Sequence, residues 1–294
     1  MPHPLLDPAL IARLDSLELL THRVFRGQQK GERKSVRKGV SIEFADYRDY
    51  TRGDDTRHID WNIFARLERL FVKLYQEEED LAFHLLVDTS KSMDFGTPET
   101  KFQYARRLAA ALGYVALRNQ DKVGVTAFDR RAKETFRPAR GKGQLPKFLN
   151  ALEAMEVAES TSLAESVRDF CIRYTQPGIV ILISDFMDER GYEDALKTFF
   201  SRNHEVYCIH LLSREERRPE LVGHLELVDS ETGERQEVTV GEVLRKQYAQ
   251  TLEAFCGGLR DWTIGHGMAY LAATTEEPID VMLLNYLRRR GLFR

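Results

Sequence analysis

Oxygen-bearing side chains follow an apolar segment of this chain at every second position. Residues 81–88, LAFHLLVD, are an apolar run of strand length that ends in Asp88, and Thr89-Ser90-Lys91-Ser92 come next. Because alternate residues of an extended segment point the same way, we expect the carboxylate of Asp88 and the hydroxyls of Ser90 and Ser92 to converge. Hard oxygen ligands without His or Cys suit Mg²⁺ or Mn²⁺ better than zinc or copper. Magnesium usually keeps several waters, which leaves a coordination position for a carboxylate from another molecule.

A second apolar run, IVILISD at residues 179–185, also ends in an aspartate, Asp185. Unbroken apolar runs of this length are typical of strands that are buried on both faces of a parallel sheet. In an open α/β sheet, ligands collect outside the carboxyl ends of the strands, where the strand order reverses. The sequence therefore predicts that Asp88 and Asp185 lie at two strand ends of the kind that bind ligands.

Strands and helices are predicted to alternate through most of the chain. Weaker strand candidates are residues 122–128, 205–212 and 267–274. Apolar stripes at helical spacing run through residues 101–119, 163–174, 190–200, 242–260 and 279–289. This alternation predicts an α/β fold with an open, mostly parallel sheet and helices on both of its faces.

The composition of the chain changes near residue 80. Residues 1–79 are polar and dense in charge, and we expect them to form a smaller N-terminal region of helix and strand that packs on the core. Residues 80–294 are expected to form the α/β domain. Within that domain, residues 224–240 contain two alternating runs around a turn-rich SETGE, which predicts an inserted hairpin.

The order of these motifs resembles the metal-ion-dependent adhesion site (MIDAS) of von Willebrand factor A (vWA) domains. That site combines Asp-x-Ser-x-Ser after a first strand, a threonine in a later loop and an aspartate after a fourth strand. The resemblance implies a vWA-like, Rossmann-like fold, and it implies that five residues bind the cation directly or through water: Asp88, Ser90, Ser92, Thr161 and Asp185.

Two loops of this chain depart from the usual MIDAS pattern. The Gly-Gly that usually precedes the threonine is Glu159-Ser160 here, and the Gly that usually follows the last aspartate is Phe186. Because glycine adopts backbone conformations that other residues resist, we expect these two loops to differ from the family pattern. Asp188 is a further candidate group in the second loop.

A second resemblance covers residues 22–94. Its motifs are Phe25-Arg26-Gly27-Gln28, Tyr47-Arg48-Asp49-Tyr50, Gly53-Asp54-Asp55 and Ile59-Asp60-Trp61. They resemble the bacterial family called domain of unknown function 58 (DUF58), which pairs such a segment with a vWA-type domain. That family is commonly associated with MoxR-type AAA+ ATPases, so the resemblance implies an adaptor for such an ATPase in the assembly or maturation of protein complexes.

The composition excludes two broad classes of protein. The 294 residues include 43 Lys and Arg against 46 Asp and Glu, a formal charge of −3, which rules out a globally basic nucleic-acid-binding protein and an acidic disordered tail. Cys171, Cys208 and Cys256 lie far apart in apolar segments and indicate reduced thiols. With no leader pattern and no apolar run near the roughly 20 residues of a membrane helix, we expect a cytoplasmic protein.

Other interpretations of the same residues stay open. Asp88 and the two serines could cap a following helix, or Asp88 could be the nucleophile of a Mg-dependent phosphohydrolase, although such an enzyme would need an aspartate in place of Ser90. The basic stretch 23–38 could bind the phosphates of nucleic acid or lipid, but it lacks interleaved aromatic residues and is more typical of a mobile arm or a surface for an acidic protein. For Gly53–Asp60, a turn with ion pairs is favoured over a second metal site.

From these patterns we predict a protein that is not an enzyme but a divalent-cation-dependent protein-interaction module. A Glu or Asp of the partner protein would occupy the open position on the cation. The sequence contains no visible nucleophile and base pair and no Walker-type phosphate loop, so ATP hydrolysis is expected to belong to the partner.

Overall fold

The chain divides into two compact units, one made of residues 1–25 and 81–294 and the other of residues 26–80. The computed structural model describes residues 5–15, 42–52, 54, 56–77, 82–158, 162–188, 190–200, 202–228 and 233–289. Several features named above lie wholly or partly outside the described residues. They are Glu159-Ser160, Thr161, the basic stretch 23–38 with the motif at residues 25–28, Gly53 and Asp55 of the segment 53–60, and the first residues of the SETGE turn.

The smaller unit contains an antiparallel strand pair and a short helix. Its elements are β1 (Ile42–Asp49), α1 (Trp61–Leu67) and β2 (Phe71–Glu77), and β1 pairs with β2. Asp60 caps α1, because its Oδ1 accepts hydrogen bonds from two backbone N–H groups of the first turn at 2.9 and 3.2 Å. Asp54 accepts a hydrogen bond from Arg48 at 2.8 Å. These two carboxylates therefore stabilise a helix start and a turn.

A six-stranded sheet forms the centre of the larger unit. The strands of this unit are β3 (Ala82–Asp88), β4 (Lys122–Phe128), β5 (Ala132–Arg140), β6 (Gly178–Ser184), β7 (Glu205–Leu212), β8 (Gly223–Val228), β9 (Arg235–Val240) and β10 (Ala269–Thr274). The sheet has the strand order β10-β7-β6-β3-β4-β5, and its neighbours are parallel except β4 and β5. Strands β8 and β9 form a separate antiparallel pair.

Helices cover both faces of this sheet. They are α2 (Lys101–Arg118), α3 (Leu145–Glu153), α4 (Leu163–Arg173), α5 (Glu193–Phe200), α6 (Arg214–Arg217), α7 (Glu242–Gly265) and α8 (Ile279–Arg289). Within β3, Leu85 and Val87 pack in an apolar cluster with α2, whereas Leu86 packs in a second cluster with α4 and α5. Successive side chains of a strand point to opposite faces, so each face of β3 is buried under helices. The predicted α/β fold with a mostly parallel sheet is confirmed.

The first described residues of the chain belong to the core of the larger unit, although the sequence analysis placed them in the N-terminal region. Residues 8–15 are helical, and Leu10 and Leu14 are buried in the same apolar cluster as α2. The Tyr114 hydroxyl of α2 donates a hydrogen bond to Asp15 at 2.7 Å. This short helix has an apolar face that packs in the core, although residues 1–79 as a whole are polar in composition. No helix in the described part of the chain is both long and apolar enough to cross a bilayer.

Candidate metal site

Two neighbouring strands carry the predicted aspartates to one edge of the sheet. Asp88 is the last residue of β3, and Asp185 directly follows β6. β3 pairs with β6 on one side and with β4 on the other. After β3 the chain continues to β4 and β5, whereas after β6 it continues to β7 and β10 on the opposite side, so the strand order reverses between β3 and β6. This is the switch point at which open α/β sheets bind ligands.

The side chains at this edge surround one cleft, whose empty volume including its open mouth is about 210 Å³. Its lining residues are Asp88, Ser90, Ser92, Leu163, Ser184, Asp185, Phe186, Met187 and Asp188. Four of the five residues that the MIDAS resemblance implied thus lie around the same cleft. The fifth, Thr161, lies outside the described residues.

Asp88 is held by hydrogen bonds to both of its carboxylate oxygens. Oδ1 accepts from the backbone N–H of Ser90 at 2.9 Å, and Oδ2 accepts from the hydroxyl of Ser184 at 2.5 Å. Ser184 is the last residue of β6, and its oxygen in turn accepts from the N–H of Phe186 at 2.9 Å. Ser184 thus joins the two strand ends, and it is not among the site residues predicted from the sequence. Its position directly before Asp185 was the signal available in the sequence.

The two serines of the motif lie next to each other in the cleft. The hydroxyl oxygens of Ser90 and Ser92 are 2.9 Å apart and share a hydrogen bond. On the facing strand end, Asp185 Oδ1 accepts from the N–H of Met187 at 3.1 Å. Ser90 lies on an extended segment with φ −58° and ψ 158° and then begins a short 3₁₀ turn, Lys91–Met93. The side chains of the motif therefore converge, but Ser92 lies in the middle of this 3₁₀ turn and not on extended chain as the sequence pattern predicted.

A buried lysine contacts the site, and sequence analysis did not find it. Lys101, the first residue of α2, is 0% exposed, and its ammonium donates to Asp185 Oδ2 at 2.7 Å. The same ammonium also pairs with Glu216 of α6. The helix dipole disfavours a cation in the first turn of a helix. The position of Lys101 at the start of α2 was therefore the local sign in the sequence that this residue has acidic partners.

The two aspartates differ in charge environment. Burial and the negative charge of Asp185 raise the pKa of Asp88 to about 7, although hydrogen bonds from Ser184 and Ser90 oppose the change. Burial also raises the pKa of Asp185, but the ammonium of Lys101 and the hydrogen bonds to its carboxylate outweigh burial and leave this pKa below the ordinary value. A divalent cation between the two carboxylates would oppose both effects and lower the pKa of Asp88.

The loop after Asp185 keeps a glycine-like backbone although it contains no glycine at that position. Phe186 has φ 57°, in the left-handed region that L residues other than Asn and Asp rarely adopt. Its side chain is 1% exposed and contacts the ring of His210 edge to face. Packing of this ring therefore compensates for the strained backbone at Phe186.

Asp188 fixes the next loop to helix α4. Its Oδ2 accepts from the N–H of Leu163, the first residue of α4, at 2.7 Å, and its Oδ1 accepts from the N–H of Arg190 at 2.8 Å. Both oxygens thus bind backbone groups, which identifies Asp188 as the residue that joins this loop to α4.

The donor set fits a hard cation. Two carboxylates and the hydroxyls of two motif serines line the cleft, and each of their oxygens has a lone pair beyond the hydrogen bonds described. The described residues hold no cluster of three or more His, Cys, Asp and Glu side chains that could bind a metal ion. Zinc and copper prefer nitrogen and sulfur ligands, whereas Mg²⁺ and Mn²⁺ prefer oxygen and accept water for the remaining positions.

Two relatives match this chain over nearly its full length. The uncharacterised protein Rv1480 of Mycobacterium tuberculosis (strain ATCC 25618 / H37Rv) is 27% identical over 291 residues, which are 97% of this chain and 92% of the relative. The uncharacterised protein Mb1516 of Mycobacterium bovis matches with the same identity and coverage.

Solved structures show weaker similarity. The conserved hypothetical protein BatB from Bacteroides thetaiotaomicron is 14% identical, covers 72% of this chain and 98% of its own, and has a TM-score of 0.44. The SpRpn10 VWA domain is 11% identical, covers 70% and 94%, and has a TM-score of 0.40. Because both scores are low, the fold assignment rests on the strand order of the chain itself.

The family model described as "Protein of unknown function DUF58" matches residues 46–254. The match spans the second part of the smaller unit, the complete Asp88 motif and the Asp185 loop. The chain belongs to the DUF58 family.

Proposed function

We propose that this protein is a non-enzymatic interaction module that binds a partner protein through a divalent cation. Asp88, Ser90, Ser92 and Asp185 hold Mg²⁺ or Mn²⁺, and a Glu or Asp of the partner occupies the remaining position. The observation that supports this proposal is the convergence of these four side chains, from two separate strand ends, on one cleft.

The charge and the surroundings of the cleft support this arrangement. Two buried carboxylates attract a divalent cation, while the serine hydroxyls bind it without adding charge. These four side chains leave coordination positions of an octahedral ion to water, and an anionic oxygen of a partner can replace one of these waters. Met187 lines the cleft and is 42% exposed. An apolar side chain beside the cation suits a protein partner better than a fully hydrated small anion.

Thr161 is included in the proposed site through the MIDAS resemblance alone. It lies two residues before Leu163, whose N–H is held by Asp188 of the cleft. We expect Thr161→Ala to weaken cation binding less than Asp88→Asn, because a hydroxyl contributes no net charge to the ion.

The proposed partner is a MoxR-type AAA+ ATPase. This part of the proposal comes from the association of DUF58 proteins with such ATPases, and the cleft supports it only by requiring an acidic side chain from the partner. Assembly or maturation of other protein complexes is the proposed purpose of the pair, and the cytoplasm is the proposed location.

The residue two positions after Asp88 argues against the phosphohydrolase alternative. A nucleophilic aspartate needs a carboxylate oxygen directed at the substrate, and the second carboxylate of such enzymes acts as acid or base. Here Ser90 stands at the position of that second carboxylate, so the chain lacks the acid or base that such an enzyme needs two residues after Asp88.

The test is capture of the purified MoxR-type ATPase of the same genome on the immobilised chain, in MgCl₂ and in EDTA. Wild type is compared with Asp88→Ala and with Asp94→Ala, since Asp94 is an exposed aspartate just beyond the motif that does not line the cleft. We expect capture in MgCl₂ by wild type and Asp94→Ala, and loss of capture in EDTA or with Asp88→Ala. Equal recovery of the ATPase in all conditions would contradict a cation-bridged contact, and Asp88-dependent turnover of phosphate esters would favour the enzyme.

A further inference from the structure

A buried lysine connects the candidate metal site to the segment that follows β7. Lys101 is fully buried, and its ammonium donates to Asp185 Oδ2 at 2.7 Å and to Glu216 Oε1. The second carboxylate oxygen of Glu216 accepts from the N–H of Ser213 at 2.7 Å, and Ser213 is the N-cap of α6. One side chain of α2 thus contacts an acid from the β6 end and an acid from the β7 end.

Local helix chemistry does not account for this lysine. The start of α2 already has a capping box, in which the Thr100 side chain accepts from the N–H of Gln103 and the Gln103 side chain accepts from the N–H of Thr100. The helix dipole opposes a cation at this position. A fully buried ammonium is tolerated only where anions surround it, so the position of Lys101 is explained by Asp185 and Glu216 and not by α2 itself.

Asp185 would be shared between this ammonium and the divalent cation. The contact with Lys101 is made by Oδ2, whereas Oδ1 accepts from the N–H of Met187, which lines the cleft. An ammonium and a divalent ion bound to one carboxylate lie only a few ångströms apart and repel each other. When the divalent ion is absent, the same ammonium compensates the buried negative charge of Asp185.

We propose that Lys101 is a positioning residue of the cation site, which fixes the Asp185 carboxylate at the cleft in the absence of the ion and weakens the binding of the ion by repulsion. Glu216 moderates this repulsion because it shares the ammonium. The inference rests on the proposed function, since it requires that Asp185 binds a divalent cation. It adds that the affinity of the site is set from outside the cleft, by a contact between α2 and α6.

Three substitutions separate this role from a merely structural one. Lys101→Met removes the ammonium and keeps an unbranched apolar chain in the buried position. Glu216→Gln removes one of its two anions at nearly constant size, which leaves the ammonium to Asp185. Glu215→Gln is the matched control, because Glu215 makes its contacts with Thr97 and has no contact with Lys101 among those described.

The readout is the rise in Tm that MgCl₂ causes relative to EDTA, measured on the full chain. We expect Lys101→Met to have a lower Tm than wild type in EDTA and a Mg²⁺-induced rise about twice that of wild type, because the ion then supplies the missing positive charge. We expect Glu216→Gln to show a smaller rise than wild type and Glu215→Gln to show the same rise. A purely structural lysine would change the Tm equally in both conditions.

Each result decides between the site and the role of the lysine. If the rise is equal in wild type, Lys101→Met and Glu216→Gln but is lost in Asp88→Asn, the cation site stands and the role of Lys101 is refuted. If neither wild type nor Lys101→Met shows a rise, both are refuted. A rise in Lys101→Met without one in wild type supports the inference. If Lys101→Met does not fold, the comparison of Glu216→Gln with Glu215→Gln decides, and equal rises in those two variants would refute it.

Discussion

Replacing Asp88 by Asn should stabilise the metal-free protein above pH 7 while abolishing its response to Mg²⁺. Asn keeps the shape of the side chain and an acceptor for the N–H of Ser90. The hydroxyl of Ser184, which accepts from Phe186, has a second lone pair for the new amide group. The substitution therefore removes a buried negative charge without opening a cavity, and its one local cost is that the Ser184 hydroxyl loses the carboxylate oxygen to which it donates.

The size of the effect follows from the pKa of Asp88, which burial and Asp185 raise from 3.8 to about 7. Between these two pH values the folded protein binds more protons than the unfolded chain, so this group stabilises the fold fully below pH 3.8 and that contribution is lost as the pH rises through about 7. A shift of about 3 units at about 1.4 kcal/mol each gives a ceiling on the order of 4 kcal/mol. Asn does not titrate and escapes this loss.

The assay is urea unfolding of wild type, Asp88→Asn and the exposed control Asp94→Asn in EDTA across the acid-to-neutral range. Asp88→Asn should match wild type at the acid end and exceed it by up to the order of 4 kcal/mol above pH 7, whereas Asp94→Asn should stay within about 0.5 kcal/mol of wild type throughout. Added MgCl₂ should stabilise wild type and leave Asp88→Asn unchanged. A metal-free Asp88→Asn protein that is less stable than wild type above pH 7 would refute the charge argument.

Three further predictions concern the stability contributed by residues that do not bind the ion. Burial, with smaller contributions from His204 and Lys122, lowers the pKa of His84 from 6.5 to about 4. The neutral ring therefore contributes stability above pH 6.5, and this contribution is lost as the pH falls toward 4. His84→Leu should flatten the pH dependence of the free energy of unfolding in urea between these pH values, and an unchanged slope would contradict this. Phe186 has a positive φ, which glycine adopts without strain. Phe186→Gly should therefore be more stable than Phe186→Ala by about 1 kcal/mol in thermal unfolding. The opposite order would show that the backbone is not strained. Leu14 is 0% exposed in the core. Leu14→Ala should therefore lower the free energy of unfolding, measured by urea titration, by about 2–5 kcal/mol. A smaller loss would mean that residues 8–15 do not pack on the domain.

The sheet and the positions of the two aspartates could be predicted from the sequence because β3 and β6 are buried on both faces. Such strands appear as unbroken apolar runs, and their last residues mark the carboxyl edge of the sheet. The predicted runs at residues 81–88 and 179–185 correspond to β3 (Ala82–Asp88) and β6 (Gly178–Ser184). The apolar runs therefore predict correctly that Asp88 and Asp185 lie at the carboxyl ends of two strands of the sheet.

Strand β5 and the contacts of the buried lysine could not be predicted from the sequence in the same way. β5 is an antiparallel edge strand that contains charged residues and Pro138, so it lacks the apolar run that identified its neighbours. The contact of Lys101 with Asp185 spans 84 positions in the sequence, and its contact with Glu216 spans 115. Such pairs depend on how α2 and α6 are placed against the sheet, which hydrophobic periodicity does not determine.

The central claim is that one hard cation binds between the ends of β3 and β6. The most direct measurement is anomalous scattering from crystals of the protein grown or soaked with Mn²⁺. A single strong peak is expected within coordination distance of oxygens from Asp88, Ser90 and Ser92, with Asp185 contacting the ion directly or through water. A Mn²⁺ peak elsewhere on the molecule, with these side chains still bonded to one another and no density between them, would contradict it.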